Sequence, residues 1–262
     1  MNKKAVFKEL LDKFETEEMR LYCEDMIEHI PDYIFTMPSS TSGKFHNATQ
    51  CKPHGQIYHI IMFGAIMNYR LALKCNKEKF NSPIIRDAMR CVPIFHDAIK
   101  CGWNGSVYTV HEHPMLAGAW VRETKVEHDI KDDIVKEAIA RMCERHSGEW
   151  TSTKRSKIIL PEPVSDMEIF VHECDILSSR SDIDMQPSEY LKGVFDECEQ
   201  PNTELPDINE YQLTFGKHSG KTIPEIAKVD KGWLHWAKEN LTREPVVSLI
   251  KQYFKPQEDD EI

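Results

Sequence analysis

The side chains best suited to chemistry in this sequence are histidines and aspartates, and two of them are adjacent. His96-Asp97 falls within the apolar run Ile94-Phe95-His96-Asp97-Ala98-Ile99-Lys100. Neighbouring residues on a regular helix point about 100° apart, so this pair converges on one ion only where a helix ends or bends. Pro93 and Gly102 bracket such a place. A dipeptide is a weak sign by itself, so the rest of the chain must supply partners. There are twelve histidines, nine of them between His46 and His172. Imidazole is the usual ligand for transition metals.

Helical patterns place several of these residues. Residues 56–75 are apolar nearly all round, which predicts a central helix, and His59 lies inside it. A histidine there needs a hydrogen-bond partner or a metal. Ser82 and Pro83 open a helix over 82–101 that delivers His96-Asp97. Gly102-Trp103-Asn104-Gly105 reads as a turn, and Pro114 then puts His113 at the start of the next helix. Ala117 and Gly118 are small enough to let another helix approach. An amphipathic helix over 129–145 leads to His146, with Gly148 as its stop; His146 is either a favourable dipole contact or a ligand. A helix over 163–180 sets Asp175 among apolar neighbours, where a carboxylate wants a cation or several donors. One shared cause accounts for His59, His96, Asp97, His113, His146 and Asp175 more simply than separate causes. Neutral imidazoles and carboxylates suit Mn²⁺, Fe²⁺, Co²⁺ or Mg²⁺. Six ligands make two ions, bridged by Asp97 and a hydroxide, possible.

The remaining chain bounds the setting. Residues 3–30 read as one or two scaffold helices with a phase break near Glu15–Glu18, stopped by Pro31. Residues 32–55 read as a loop, either a solvated linker or a segment whose Lys44 and His46 contact phosphate. Eight cysteines include no CxxC; Cys75, Cys91, Cys143 and Cys174 fall in apolar patterns and are expected to be buried reduced thiols in a cytoplasm. No apolar run reaches the roughly 18–20 residues of a membrane span, and the N-terminus does not read as a secretory signal. A net charge of −10 argues against a large nonspecific duplex-binding surface but not against a small anionic ligand. The Pro-rich acidic stretch 200–212 is the expected linker and 256–262 an acidic tail. Lys217, His218 and Lys221 cluster on a Gly-containing turn followed by Trp233 and Trp236, a combination able to hold single-stranded nucleic acid unless the tryptophans form their own core.

The ordered pattern His…His-Asp…His…His…Asp resembles the HD-domain metal-dependent phosphohydrolases over about residues 35–185. Gly55 to His59 is similar to that family's first-ligand segment. His96 to Lys100 matches its signature, with the lysine three positions after Asp97 kept and the usual glycine replaced by Ile99. His113-Pro114, His146-Ser147-Gly148 and Asp175 to Arg180 match the later segments; His113 is preferred to His111 because Ala117, four positions on, fits the family spacing. The resemblance implies a mainly α fold: an HD-domain helical bundle over 35–199, with residues 1–34 packing on it. It implies one or two divalent ions (Mn²⁺, Fe²⁺, Co²⁺, Ni²⁺ or Mg²⁺). His59, His96, Asp97 and Asp175 would hold the first, and His113 and His146 with Asp97 the second. If His113 and His146 hold no ion, they become phosphate ligands or proton donors.

Asp97, Lys100, His113 and His146 are then catalytic candidates, and Lys44, His46, Lys100 and Arg180 substrate contacts. The implied activity is hydrolysis of phosphoester or phosphoanhydride bonds in nucleotides or small oligonucleotides by a metal-bound hydroxide. The loop Phe35 to His46 resembles a segment of bacterial HD-class 3′→5′ exonucleases and phage HD proteins. Residues 213–255 resemble a small α+β module appended to some prokaryotic and phage 3′→5′ exonucleases, a short hairpin followed by two helices. An exonuclease on single strands is therefore the alternative, and a non-catalytic regulatory HD protein a second one. A homo-oligomer is compatible with either, as is a host cytoplasm if the chain is phage-encoded.

Overall fold

In the computed structural model, residues 1–40, 46–74, 78–106, 108–154, 156–183, 186, 188–199, 206–241 and 245–254 are described. Lys44, Cys75, the linker residues 200–205 and the tail 256–262 lie outside them. The chain is mainly helical, with no sheet among the described residues. Contacts divide it into two units, Met1–Asp196 and Glu197–Ile262.

The first unit opens with two short helices, α1 (Lys3–Val6) and α2 (Lys8–Leu11), then α3 (Glu17–Glu28). The expected phase break lies between α2 and α3, and a buried carboxylate holds it. Asp87 accepts the Glu15 backbone N–H at 3.0 Å on each oxygen, and the Thr16 N–H and hydroxyl at 2.8 Å. The Arg86 guanidinium pulls the Glu15 carboxyl down to about 2; burial opposes this and Arg90 adds to it.

Next comes α4 (Gly55–Lys74), whose Ile57, Ile60, Phe63, Met67 and Leu71 are fully buried, as a helix apolar on all sides requires. Gly55 is needed at its start, because a Cβ there would sit 2.0 Å from the Gln50 carbonyl oxygen. α5 (Pro83–Phe95) ends six residues short of the expected 101. The chain continues in successive turns, with Ala98 N–H to Phe95 O at 3.0 Å, Lys100 N–H to Asp97 O at 3.0 Å and Gly102 N–H to Ile99 O at 2.9 Å. Ala98 and Ile99 stay buried through those turns, so the apolar pattern outlasts the helix.

The expected close approach occurs between α6 (His113–Glu123) and α7 (Asp133–Glu144), where a Cβ on Gly118 would meet the Glu144 side chain at 2.4 Å. Asp132 caps α7 by accepting the Ile134 N–H, and a Ser165–Glu168 capping box starts α8 (Asp166–Ser179). The unit division falls inside α9 (Glu189–Glu199), whose Leu191 and Phe195 are buried. Cys91, Cys143 and Cys174 are buried free thiols. No helix among the described residues is long and apolar enough to cross a membrane.

In the second unit the expected hairpin comes down to one antiparallel bridge, Gln212 to Thr222, with Leu213 N–H donating to Lys221 O at 2.9 Å and Gly220 N–H to Leu213 O at 2.7 Å. A Thr222–Glu225 capping box starts α10 (Ile223–Asn240), which kinks at Asp230. α11 (Val246–Tyr253) follows, and Leu213, Ile226, Leu234, Val246, Leu249 and Ile250 form the core between these pieces.

Candidate metal centre

The end of α5, the starts of α4 and α6, and the ends of α7 and α8 bring six predicted residues together. The rings share one mode of anchoring. His96 Nδ1 lies 2.9 Å from Pro93 O, His113 Nδ1 2.7 Å from Val110 O, and His146 Nδ1 2.7 Å from Cys143 O. A carbonyl oxygen only accepts, so each Nδ1 carries the proton and each Nε2 of a neutral ring is a lone pair. His59 is held differently. Its Nδ1 lies 3.2 Å from Ser178 Oγ, whose own proton goes to Asp175 O at 2.7 Å, so Nδ1 donates there too.

All four Nε2 atoms face carboxylates. His59 Nε2 is 3.0 Å from Asp175 Oδ1, His113 Nε2 3.0 Å and His146 Nε2 3.9 Å from Asp97 Oδ1, and His96 Nε2 3.3 Å from Asp97 Oδ2. A lone pair set against an anionic oxygen at such distances calls for a proton or a cation between them. Burial, reinforced by His96, pushes His146 down to about 3. Burial likewise outweighs Asp175 at His59 and lowers it. Both shifts favour the neutral ring, the form whose Nε2 can accept a metal ion. His96 differs: burial lowers it, but Asp97 and Asp175 outweigh burial and raise it. His96 Nε2 and Asp97 Oδ1 are also buried without a hydrogen-bond partner. The donor set and these two unsatisfied atoms fit a divalent ion.

Among the described residues two groups have ligand atoms all within 4.8 Å of one another: His59, His96 and Asp175, and His96, Asp97 and His146. A neutral imidazole Nε2 binds one ion, so His96 serves one group at a time. His113 Nε2 and His146 Nε2, 3.0 and 3.9 Å from Asp97 Oδ1, could hold an ion at the other position.

Asp97 is oriented by two further groups. Its Oδ2 accepts Lys100 Nζ at 2.7 Å and Gln56 Nε2 at 3.0 Å, while Gln56 Oε1 accepts Lys100 Nζ at 2.7 Å. Oδ2 is thus occupied and Oδ1 is the oxygen offered to an ion. Burial raises the Asp97 carboxyl, but Lys100, His96 and His113 outweigh it and hold the group well below the usual range.

The other predicted contacts are distributed unevenly. Lys100 is buried beside Asp97. His46 stands edge-on to His59, ring centres 5.2 Å apart, with Nδ1 2.8 Å from Gln50 Oε1; burial, then His59, lowers it to about 4. Arg180 is tied to the Asp182 carboxylate at 2.6 and 2.7 Å, and among the described residues no hydrogen bond or ion pair joins it to the cluster. Lys44 lies outside the described residues. His111 Nε2 lies 3.3 Å from Thr151 O and 3.2 Å from Ile158 O, so its imidazole anchors a loop while His113 faces Asp97.

Sequence reasoning passed over Gln56, Ser178, Gln50 and His172. Gln50 Nε2 donates to Ser178 O at 2.7 Å, and His172 Nδ1 donates to His146 O at 2.7 Å. Gly148 (φ 60°) makes room for that ring, since a Cβ would lie 1.9 Å from His172 Cε1. Spacing offered a signal for two of these: Gln56 precedes His59 by three residues and Ser178 follows Asp175 by three, each pair on one helix face.

In the second unit, Asp230 Oδ2 takes Lys217 Nζ at 2.6 Å and His218 Nε2 at 3.1 Å. Trp233 packs on His218 with ring centres 4.9 Å apart, and Trp236 is exposed. One of the two tryptophans thus belongs to the unit's interior and the other does not.

Residues 213–242 match the family model described as exodeoxyribonuclease X-like C-terminal. No curated protein and no solved structure matches the chain.

Proposed function

We propose that the first unit is a divalent-metal-dependent phosphohydrolase of the HD type, acting on nucleotides or small oligonucleotides. The carrying observation is the set of four imidazoles with Nδ1 committed and Nε2 turned on Asp97 and Asp175, with His96 Nε2 and Asp97 Oδ1 left unsatisfied. His59, His96 and Asp175 would hold one ion, and Asp97 Oδ1, His113 and His146 a second. When bound, such ions act as Lewis acids on phosphoryl oxygens and lower the pKa of water for attack at phosphorus. Lys100 and Gln56 keep Asp97 ionised and fix its rotation. Ser178 and three backbone carbonyls fix the ring tautomers. The third N–H of Lys100 is a donor beside the cluster that a phosphate could take, whereas the one N–H of neutral His46 is committed to Gln50 Oε1.

The match at 213–242 favours a nuclease-type hydrolase and therefore a second reading, a 3′→5′ exonuclease on single strands, with residues 213–255 as a recognition module. Mn²⁺-loaded protein incubated with labelled single strands and with a nucleotide panel separates the two. Release of phosphate or pyrophosphate from nucleotides supports the first, and degradation of strands alone supports the second. Absence of bound metal, together with inactivity under every divalent ion, would sink both.

A further inference from the structure

The geometry points to the loop 150–160 as a binding surface for single-stranded nucleic acid, beside the part of the site built by His113 and His146. From Trp150 to Pro161 the sequence carries Lys154, Lys157 and Arg155, the last outside the described residues, and no acidic residue, in a chain of net charge −10. Lys154 and Lys157 are exposed, and no carboxylate pairs with either among the described residues. Trp150 is 52% exposed, and Ile158 and Ile159 on the other arm are exposed as well. Uncompensated cations interleaved with an open aromatic and apolar side chains are what a strand needs: phosphates meet the ammonium groups and bases stack on the ring.

The loop is fixed to the site rather than free of it. Its two arms are joined by Leu160 N–H to Thr151 O at 2.8 Å, and Thr153 bridges Ser156 across its tip. His111, two residues before His113, holds both arms through Thr151 O and Ile158 O. Trp150 lies four residues beyond His146 and packs 5.9 Å, centre to centre, from His172, which anchors the His146 carbonyl. A base on Trp150 would therefore lie on the His146 side of the cluster. This assignment rests on the phosphohydrolase reading for its purpose but not for its test, and it makes the substrate a polynucleotide.

The test is fluorescence anisotropy of a labelled twelve-nucleotide oligo(dT) with the full chain in EDTA, alongside separate Mn²⁺ titration of the protein. The expected result is that K154E/K157E weakens strand binding about ten-fold or more at low salt and lowers the slope of log affinity against log salt by about 1.4, two phosphate contacts' worth. Trp150→Ala should weaken binding by a similar factor through lost stacking, roughly ten-fold, and Trp150→Phe should restore most of it. Strand binding unchanged in K154E/K157E but lost in K217E/K221E would overturn the assignment in favour of the second unit. No strand binding by the wild type would overturn it too, while Mn²⁺ binding in that same protein would leave the metal reading standing. Strand binding without any Mn²⁺ binding would do the reverse.

Discussion

Asp97 and Asp230 each stand against a lysine and a histidine, Lys100 and His113 in one case, Lys217 and His218 in the other. The Asp97 side chain is 4% exposed and that of Asp230 is 31% exposed. At Asp230 the circle closes. Oδ2 takes Lys217 and His218, and Oδ1 takes the Trp233 N–H at 3.0 Å, so the carboxylate caps the second half of a helix that breaks at its own residue. At Asp97 the circle stays open: His96, His113 and His146 each commit Nδ1 to a backbone carbonyl, and Oδ1 has no hydrogen-bond partner. Identical residue types thus make a strut in one place and leave an open carboxylate oxygen among imidazoles in the other, and the imidazole nitrogen committed to a partner decides which.

Asp97→Asn gives the sharpest separation. Mn²⁺ affinity by calorimetry and hydrolysis of a phosphodiester should fall together, by ~10³-fold or more, the several kcal/mol an ion contributes to charge stabilisation. Asp230→Asn should leave both at wild-type values. Retention of tight Mn²⁺ binding in Asp97→Asn would erase the distinction. A smaller effect tests the supports: Gln56→Ala and Ser178→Ala should each cost about 10–100-fold in metal affinity without unfolding the chain. If either matches wild type, orientation of Asp97 or His59 does not depend on these groups.

Two glycines compare the regions by steric means. Gly148→Ala sets a methyl against His172 at φ 60°, whereas Gly220→Ala (φ 81°) meets nothing within 4 Å. The first should cost about 3 kcal/mol in denaturant unfolding and the second about 1. Adding His172→Ala should recover part of the Gly148→Ala loss, and a strictly additive pair would show that the ring is not the obstacle.

The smallest effect is in acid. Lys217, then the Trp233 N–H, lowers Asp230 from an ordinary 3.8 to about 2. A depressed carboxyl stabilises the fold above its unfolded value and loses that contribution as pH falls through the folded one. Amide exchange across 231–240 should therefore quicken between about pH 4 and 2 relative to neighbouring segments. Asp230→Asn should abolish that pH dependence.

That His59, His96, Asp97 and Asp175 gather at one place is legible in the sequence. A histidine inside an all-apolar helix, an aspartate among apolar neighbours and a His-Asp pair at a helix end each announce that something must satisfy them. Spacing places Gln56 and Ser178 on the faces that carry His59 and Asp175 but does not give their partners, because Gln56 meets Asp97 across 41 positions and Ser178 meets His59 across 119. Only packing decides which amide or hydroxyl arrives. The end of α5 was misplaced for a related reason. Hydrophobic periodicity reports burial, and Ala98 and Ile99 are as buried in turns as they would be in a helix. α9 offers too narrow an apolar face, Leu191 and Phe195, to stand out from its acidic surroundings.

The ring anchors at Pro93, Val110 and Cys143 are main-chain carbonyls, each three residues before its histidine. Main-chain atoms survive any substitution that keeps the local turn. The aim of these three rings is therefore insulated from genetic drift at the anchoring positions. His59, aimed through the Ser178 hydroxyl, lacks that insulation. In a saturation library selected for metal binding, positions 93, 110 and 143 should accept any residue their packing allows, while 178 should narrow to hydroxyl-bearing residues. The cluster thus has three rigidly inherited members and one that selection can retune.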